Sequence, residues 1–329
     1  MKCRAPHNNM YMTVRGEVGP CWLQVSSDEV WSHDRSMNDI WNGEKFNNIR
    51  ENLANDVWDG PCGTCKYNID NDVWPLAKAY EPYPVKDYPT MLELELSNQC
   101  NLECTMCSGV LSSGIRKNRD KLPPLPQIYD DKFVEQLDEY IPHLTELRFN
   151  GGEPFAQRIV FDICLKVAEM RPDLKINIAT NGTVRNKRVQ ELLDKCNIHL
   201  NISIDSLEKE RYEAIRINGD FDTLMTNFYF FNEYCKKNGR DLSIMVNPMR
   251  NNWFEMIDFG LFAMEFDTHL WYNTIKYPEH LAIWNLPSDE LKLIYDTLST
   301  RLKNVRVPQS THHLINNQIQ NWLLDSYVR

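Results

Sequence analysis

Through most of the chain the apolar positions switch between a period of two and a period of three to four, which marks alternating strands and helices. Met91–Ser97 alternates, with Leu92, Leu94 and Leu96 on one face of a predicted strand. Residues 133, 134, 137, 140 and 141 then form a helical stripe over 130–141, stopped by Pro142. The same exchange follows five more times. Strands are expected at 144–150, 174–180, 198–205, 242–248 and 269–276. Helices are expected at 159–170, around 189–196, at 208–216, 222–238 and 252–265, and in a last one capped at Ser288. Six strand–helix units imply an α/β fold with a parallel sheet and right-handed crossovers. Six units rather than eight imply an open, partial (β/α)6 TIM-like barrel, with its chemistry at the C-terminal strand ends.

The first eighty residues are patterned differently. Asn9–Val14 and Glu17–Trp22 flank Arg15-Gly16 as a predicted hairpin, and Ser36–Asn55 reads as one helix with Ile40, Trp41, Phe46, Ile49 and Leu53 apolar. So few elements make a thin core, which a metal clip would help to fold. Pro-Tyr-Pro-Val-Lys-Asp-Tyr-Pro at 82–89 disfavours helix and reads as an extended linker. The expected organisation is a small hairpin-plus-helix domain at 1–81, a linker at 82–90, the barrel at 91–303 and a helical extension at 304–329.

Composition narrows the chemistry. With 42% hydrophobic and 25% charged residues the chain is globular, and no run of eighteen apolar residues could span a membrane. The first residues lack the apolar core of a secretory signal, so the expectation is a cytoplasmic protein. A net charge of −10 argues against nonspecific nucleic-acid binding. Ten cysteines in a chain that is not exported point to metal binding or catalysis, not to a disulfide framework.

Those cysteines fall into three groups. Cys100, Cys104 and Cys107 lie on a polar loop directly after the first barrel strand. Three thiolates so placed can hold three corners of a four-iron cluster and leave one iron open, whereas zinc would need a distant fourth ligand. Cys3, Cys21, Cys62 and Cys65 form a second set of four, compatible with a fully ligated cluster or with a structural zinc knot. Cys164, Cys196 and Cys235 have helical core spacing and read as buried packing residues. His312-His313 and the stripe Ile315, Ile319, Trp322 and Leu323 read as a packing helix. The loop 108–129, with Arg116, Lys117 and Arg119, reads by default as a solvated face, with a lid over an anionic substrate as the alternative.

The motif Cys100-x₃-Cys104-x₂-Cys107 after the first strand resembles the signature of the radical S-adenosyl-L-methionine (radical SAM) superfamily. Met106 departs from the aromatic residue usual before the last cysteine. Asn150-Gly151-Gly152-Glu153-Pro154, behind the second strand, is similar to the family's Gly-Gly-Glu motif, whose glycines let backbone approach the cosubstrate's amine. Thr180-Asn181-Gly182 and Ser203-Ile204-Asp205 close the next two strands as in many relatives. By this resemblance Gly151, Gly152, Glu153, Asn181, Ser203, Asp205, Arg216 and Val246 are the expected contacts of S-adenosyl-L-methionine. Ser203, Asp205 and Arg216 would meet the ribose and carboxylate and Val246 the adenine; a solvated helix position is the other reading of Arg216. Cys3-x₂-Pro6, Arg15 through Cys21, Ile40-Trp41, Phe46, Arg50 and Pro61-Cys62-Gly63-Thr64-Cys65 resemble a twitch or SPASM auxiliary-cluster domain. Here it precedes the barrel instead of following it.

The resemblance implies two 4Fe-4S clusters. The one on Cys100, Cys104 and Cys107 would cleave the cosubstrate reductively, and the auxiliary one on Cys3, Cys21, Cys62 and Cys65 would serve electron transfer. The 5′-deoxyadenosyl radical would then take hydrogen from a substrate. It also implies a flavodoxin- or ferredoxin-like reductant and no membrane partner. The expected substrate is a small or partner-delivered molecule: a sugar, nucleotide or cofactor precursor. A ribosomal peptide or protein side chain is the alternative, and a non-catalytic iron–sulfur carrier is the alternative of another class. No residue stands out as a catalytic acid or base.

Overall fold

All six strands expected from the alternation form in the computed structural model, which describes residues 3–327. The nine strands are β1 (Asn9–Met12), β2 (Glu17–Gly19), β3 (Ser26–Val30), β4 (Met91–Glu95), β5 (Glu146–Asn150), β6 (Lys175–Thr180), β7 (Ile198–Ser203), β8 (Leu242–Val246) and β9 (His269–Tyr272). From β4 onward the strand–helix alternation is that of a partial (β/α)6 TIM-like barrel.

The chain divides into two compact units. The first comprises Met1–Asn101, Ser108–Ala179 and Val184–His199. Its strands run β3-β2-β1-β4-β5-β6. β1 and β2 are the expected antiparallel hairpin, with Tyr11 opposite Gly19. β1 also pairs in parallel with β4, from Asn9 opposite Met91 to Met12 opposite Leu94, so the hairpin continues the sheet of the body. The alternation of β4 and β5 sets Leu92, Leu94, Leu147 and Phe149 in the core, each about 1% exposed or less. Outside them, Arg158–Met170 buries Ile159, Val160, Ile163, Cys164 and Val167 at helical spacing. Each such side chain stabilises the fold by roughly 1.5–3 kcal/mol.

The second unit comprises Leu102–Cys107, Thr180–Thr183 and Leu200–Arg329. Here β7, β8 and β9 are parallel neighbours. Asp220 caps the long helix Phe221–Asn238 by accepting from Thr223 N–H, and Gly239 ends it in the left-handed region. Helices Met256–Glu265, Ser288–Asn304 and Gln309–Tyr327 share a core that includes Ile257, Leu291, Leu298, Ile315, Ile319 and Trp322. The C-terminal stripe is thus a packing helix, and Cys164, Cys196 and Cys235 are buried.

Several boundaries differ from the pattern-based expectation. Ser36–Asn55 is two helices, Met37–Trp41 and Glu44–Ala54. Ser36 forms a capping box with Asp39, and Gly43 serves as the N-cap of the second helix, where a Cβ would press on the carbonyl of Asp39. Pro287, not Ser288, holds the N-cap of the penultimate helix. β3 carries no apolar alternation because it lies at the sheet's edge, with only Glu29 buried. Cys62 and Cys65 lie on a helix, Cys62–Asp70, that nothing in the hydrophobic pattern signals.

Candidate active site

In the first unit, two of the N-terminal thiols pack on a small apolar cluster. Cys3 and Cys21 pack on Ala5, Tyr80 and Met91. None of the cysteines is in a disulfide. Each of the four sulfurs has a hydrogen-bond donor. The backbone N–H of Ala5 faces Cys3, those of Leu23 and Gln24 face Cys21, and those of Leu76 and Ala77 face Cys65. Gln24 Nε2 donates to Cys62 Sγ at 3.3 Å. Burial pushes the Cys3 and Cys21 thiols up to about 12, so a bound cation is what would stabilise their thiolates. Among the described residues, no three histidine, cysteine or carboxylate groups crowd together as the ligands of a single ion. A four-iron cluster spreads its thiolates over separate irons.

At the C-terminal end of β4 the chain turns into the approach to Cys100. Gln157 Nε2 donates to Ser97 O at 3.2 Å and to Gly151 O at 2.9 Å, and Glu153 N–H donates to Gln99 O at 2.8 Å. Gly151 and Gly152 have φ of +74° and +55°. A Cβ on Gly152 would strike the carbonyls of Ser97 and Gln99. The Gly-Gly-Glu turn therefore lies backbone against backbone on the residues leading to the first cysteine. Glu153 is fully buried, and its carboxylate accepts from Phe155 N–H at 3.0 Å, capping the turn Pro154–Ala156.

The second unit holds the rest of the cysteine loop. Glu103 N–H donates to Ile217 O at 3.0 Å and Thr105 N–H to Ile215 O at 2.8 Å. Between these two bonds, Arg216 Nη1 lies 3.8 Å from Cys104 Sγ. Arg216 Nη2 pairs with Asp205 Oδ2 at 2.7 Å, and the Asp205 side chain is fully buried. Asp205 Oδ1 accepts from Asn247 N–H at 2.7 Å and Asn247 Nδ2 at 3.0 Å, one residue past Val246. Arg216 is therefore buried and paired, not solvated. Burial works against its charge, and the facing Asp205 and Cys104 outweigh that effect. Burial likewise raises the Cys104 thiol, with Arg216 opposing it. Three buried donor groups here have no hydrogen-bond partner: Arg216 Nε, the Thr105 hydroxyl and the Tyr212 phenol. Unsatisfied buried donors are costly, and this trio suits an electron-rich group placed beside Cys104.

Asn181 accepts from Thr183 N–H at 2.9 Å and from the Thr183 hydroxyl at 2.7 Å. Ser203 ends β7, half-buried, and Val246 ends β8, buried. Met106 is also half-buried. The segment 108–129 is not all loop: Ser113–Asn118 is a helix that carries Arg116 and Lys117, Arg119 pairs with Asp120 at 2.9 Å and Arg116 bonds the Pro123 carbonyl, so two of its cations are engaged locally.

A second polar constellation escaped the sequence reading. Opposite the leucine face of β4 lie Glu93 and Glu95. Glu93 accepts from Tyr80 O–H at 2.9 Å and Asn9 Nδ2 at 2.8 Å, and Arg148 bridges Glu93 and Glu146 at 3.6 and 2.6 Å. Glu95 bonds the Tyr11 phenol, and burial pushes its carboxyl up to about 7. The signal was available: two glutamates two residues apart on a strand whose other face is all leucine.

Comparison with known proteins adds the following. The model of the Radical SAM superfamily matches residues 94–259, just over half of the chain. A model described as an iron-sulfur cluster-binding domain, SPASM, matches residues 3–66. The GTP 3′,8-cyclase of Lactiplantibacillus plantarum is 22% identical over 228 residues, covering 68% of this chain and 64% of that protein. The mitochondrial GTP 3′,8-cyclase of Arabidopsis thaliana is 28% identical over 138 residues, covering 41% and 34%. The chain thus spans only part of the curated relatives it matches. Among solved structures, Streptococcus suis SuiB bound to precursor peptide SuiA is similar at a TM-score of 0.49, with 16% identity, over 84% of this chain and 55% of that one.

Proposed function

This chain belongs to the radical SAM superfamily and carries a SPASM iron–sulfur domain, and on that premise we propose that it is a hydrogen-abstracting enzyme acting on a small molecule. Cys100, Cys104 and Cys107 would hold the cluster that meets S-adenosyl-L-methionine, and Cys3, Cys21, Cys62 and Cys65 an auxiliary cluster. When bound, these groups supply one-electron cleavage of the cosubstrate to a 5′-deoxyadenosyl radical and an electron-transfer station.

The protein's own part is to hold and orient. The observation that carries the reading is the trio of unsatisfied donors, Arg216 Nε, Thr105 Oγ1 and the Tyr212 phenol, around Cys104. The Gly151-Gly152-Glu153 turn offers backbone that a side chain would block. Asn181, Ser203, Asp205 and Val246 stand at strand ends or just beyond them, Arg216 ends the helix Lys209–Ile215, and together they complete the proposed cosubstrate contacts. The donors at every sulfur of the N-terminal set support a fully ligated, closed cluster, which suits electron transfer. The barrel at 91–303 would do the chemistry and the domain at 1–81 would carry the auxiliary cluster. A flavodoxin- or ferredoxin-like protein would supply the electron.

The relatives named GTP 3′,8-cyclase support a small-molecule substrate of the sugar, nucleotide or cofactor-precursor kind. The polar face of β4 bears on which kind. Arg148 is already paired with Glu93 and Glu146, and Glu95 adds another carboxyl, so this face favours a neutral or cationic ligand over a triphosphate.

The test is anaerobic incubation of the iron-loaded protein with dithionite and S-adenosyl-L-methionine. Formation of 5′-deoxyadenosine and methionine is expected. Full iron loading without 5′-deoxyadenosine would sink the reading in favour of a non-catalytic carrier.

A further inference from the structure

The contacts of Arg216 go beyond those expected of a cosubstrate ligand. Glu103 and Thr105 donate their N–H groups to the carbonyls of Ile217 and Ile215, and these two bonds bracket Cys104 on one side and Arg216 on the other. Its three nitrogen positions face three ways. Nη1 lies 3.8 Å from Cys104 Sγ, Nη2 lies 2.7 Å from Asp205 Oδ2, and Nε has no partner. Asp205 is held so that it cannot turn away. Asn247 donates to its carboxylate twice, at 2.7 and 3.0 Å, and Asn252 Nδ2 donates to its main-chain carbonyl at 2.7 Å. The result is a rigid chain from Asn247 and Asn252 through Asp205 and Arg216 to the sulfur of Cys104.

Such a pair is a poor device for stability. Removing two charges from water is costly, and well-packed apolar residues commonly serve as well or better. A guanidinium fork fixed at both ends instead delivers a positive charge to one chosen atom. That atom is a proposed iron ligand, and hydrogen bonds to sulfur, net charge and exposure set the potential of an iron–sulfur cluster. The reduced state carries one more negative charge than the oxidised state, so a cation beside the sulfur favours reduction while burial opposes it. Asp205 partly cancels that cation.

We infer that Arg216, positioned by Asp205, sets the reduction potential of the cluster held through Cys104, besides any contact its Nε makes with the cosubstrate. The inference rests on the reading of Cys100, Cys104 and Cys107 as cluster ligands. Arg216 and Asp205 are positioning residues in it, acting through Cys104.

The test is a redox titration of the anaerobic holoenzyme without S-adenosyl-L-methionine. It follows by electron paramagnetic resonance the reduced signal that later addition of S-adenosyl-L-methionine perturbs. Arg216→Met should lower the midpoint so that the reduced-to-oxidised ratio at a fixed potential falls about tenfold, which is 59 mV for one electron. Asp205→Asn should move it the opposite way, and Arg216→Lys should restore most of the wild-type value. A general loosening of the loop would move both charge-removing variants in one direction, which would overturn the inference. So would wild-type midpoints in all three, even with weakened cosubstrate affinity. If Arg216→Met loads no iron, the opposite shift of Asp205→Asn and the retention by Arg216→Lys decide the matter. If the wild type shows no signal perturbed by S-adenosyl-L-methionine, the ligand reading itself fails, and this inference with it.

Discussion

The two sets of thiols solve opposite problems. Around Cys3, Cys21, Cys62 and Cys65 every sulfur has a donor, and the two unpartnered buried atoms nearby, Asn8 Oδ1 and Asn9 Oδ1, are acceptors. Around Cys104 the backbone is strapped in place, yet three buried donors point at nothing. A closed coordination sphere needs a donor at each sulfur and none in reserve. A site that must admit a second molecule leaves hydrogen-bonding capacity in reserve. The number of thiols and the state of their surroundings carry the same message.

The largest effect that could break this contrast is deletion of a ligand from each side. Cys104→Ala should cost roughly four irons per chain and take 5′-deoxyadenosine formation to background. Cys62→Ala with Cys65→Ala should remove a similar amount of iron but leave cosubstrate cleavage measurable, at the expense of melting temperature in the N-terminal segment. Iron analysis with product chromatography separates the two outcomes, and equal loss of 5′-deoxyadenosine in both would erase the distinction.

Next comes the turn beside Cys100. Gly152→Ala forces a Cβ onto a residue at φ +55° and against two carbonyls. It should destabilise the protein by about 1–3 kcal/mol in denaturant unfolding and weaken cosubstrate binding. Gly239→Ala, also at positive φ but with nothing near its Cβ position, is the control that should cost less.

Glu95 gives a smaller, pH-dependent effect. Its carboxyl is raised from 4.5 to about 7, so the native state retains a proton that the unfolded chain releases. Stability from this group is complete below about pH 4.5 and is lost as pH rises through about 7. Wild type should therefore lose on the order of 1–2 kcal/mol relative to Glu95→Gln between pH 5 and 8, less than the full shift implies because Glu95 keeps some contact with water. Parallel melts at the two pH values measure it, and a constant difference would contradict the assignment.

The smallest effect sharpens the closed side. Gln24→Leu removes the amide that donates to Cys62 Sγ. A single such bond is worth about 0.5–1.5 kcal/mol. The auxiliary cluster should become harder to reduce by some tens of millivolts, read by the same redox titration.

Much of this was legible in the chain itself. Alternation along β4 to β9 predicts the strand–helix units, and the spacing of Cys100, Cys104 and Cys107 singles out the loop proposed here as reactive. What stayed hidden depends on distant partners. The pairing of Glu103 and Thr105 with Ile217 and Ile215 joins segments some hundred residues apart, and no local pattern records it. Arg216 therefore read equally well as a solvated residue. Tyr11 meets Glu95 only because β1 lies parallel to β4. The edge strand β3 and the helix under Cys62 lack a periodic apolar face, so hydrophobic patterning had nothing to report.

The parallel pairing of β1 with β4 also constrains how the molecule is made. Asn9 waits for Met91, and Cys3 and Cys21 pack on Tyr80 and Met91. During synthesis the hairpin leaves the ribosome on the order of ten seconds before its partner strand. Until β4 arrives, the first two thiols have no apolar bed and the hairpin keeps an open edge. Iron delivered to a nascent chain would find that pocket unassembled, so auxiliary-cluster insertion should follow emergence of the first barrel strand, not precede it.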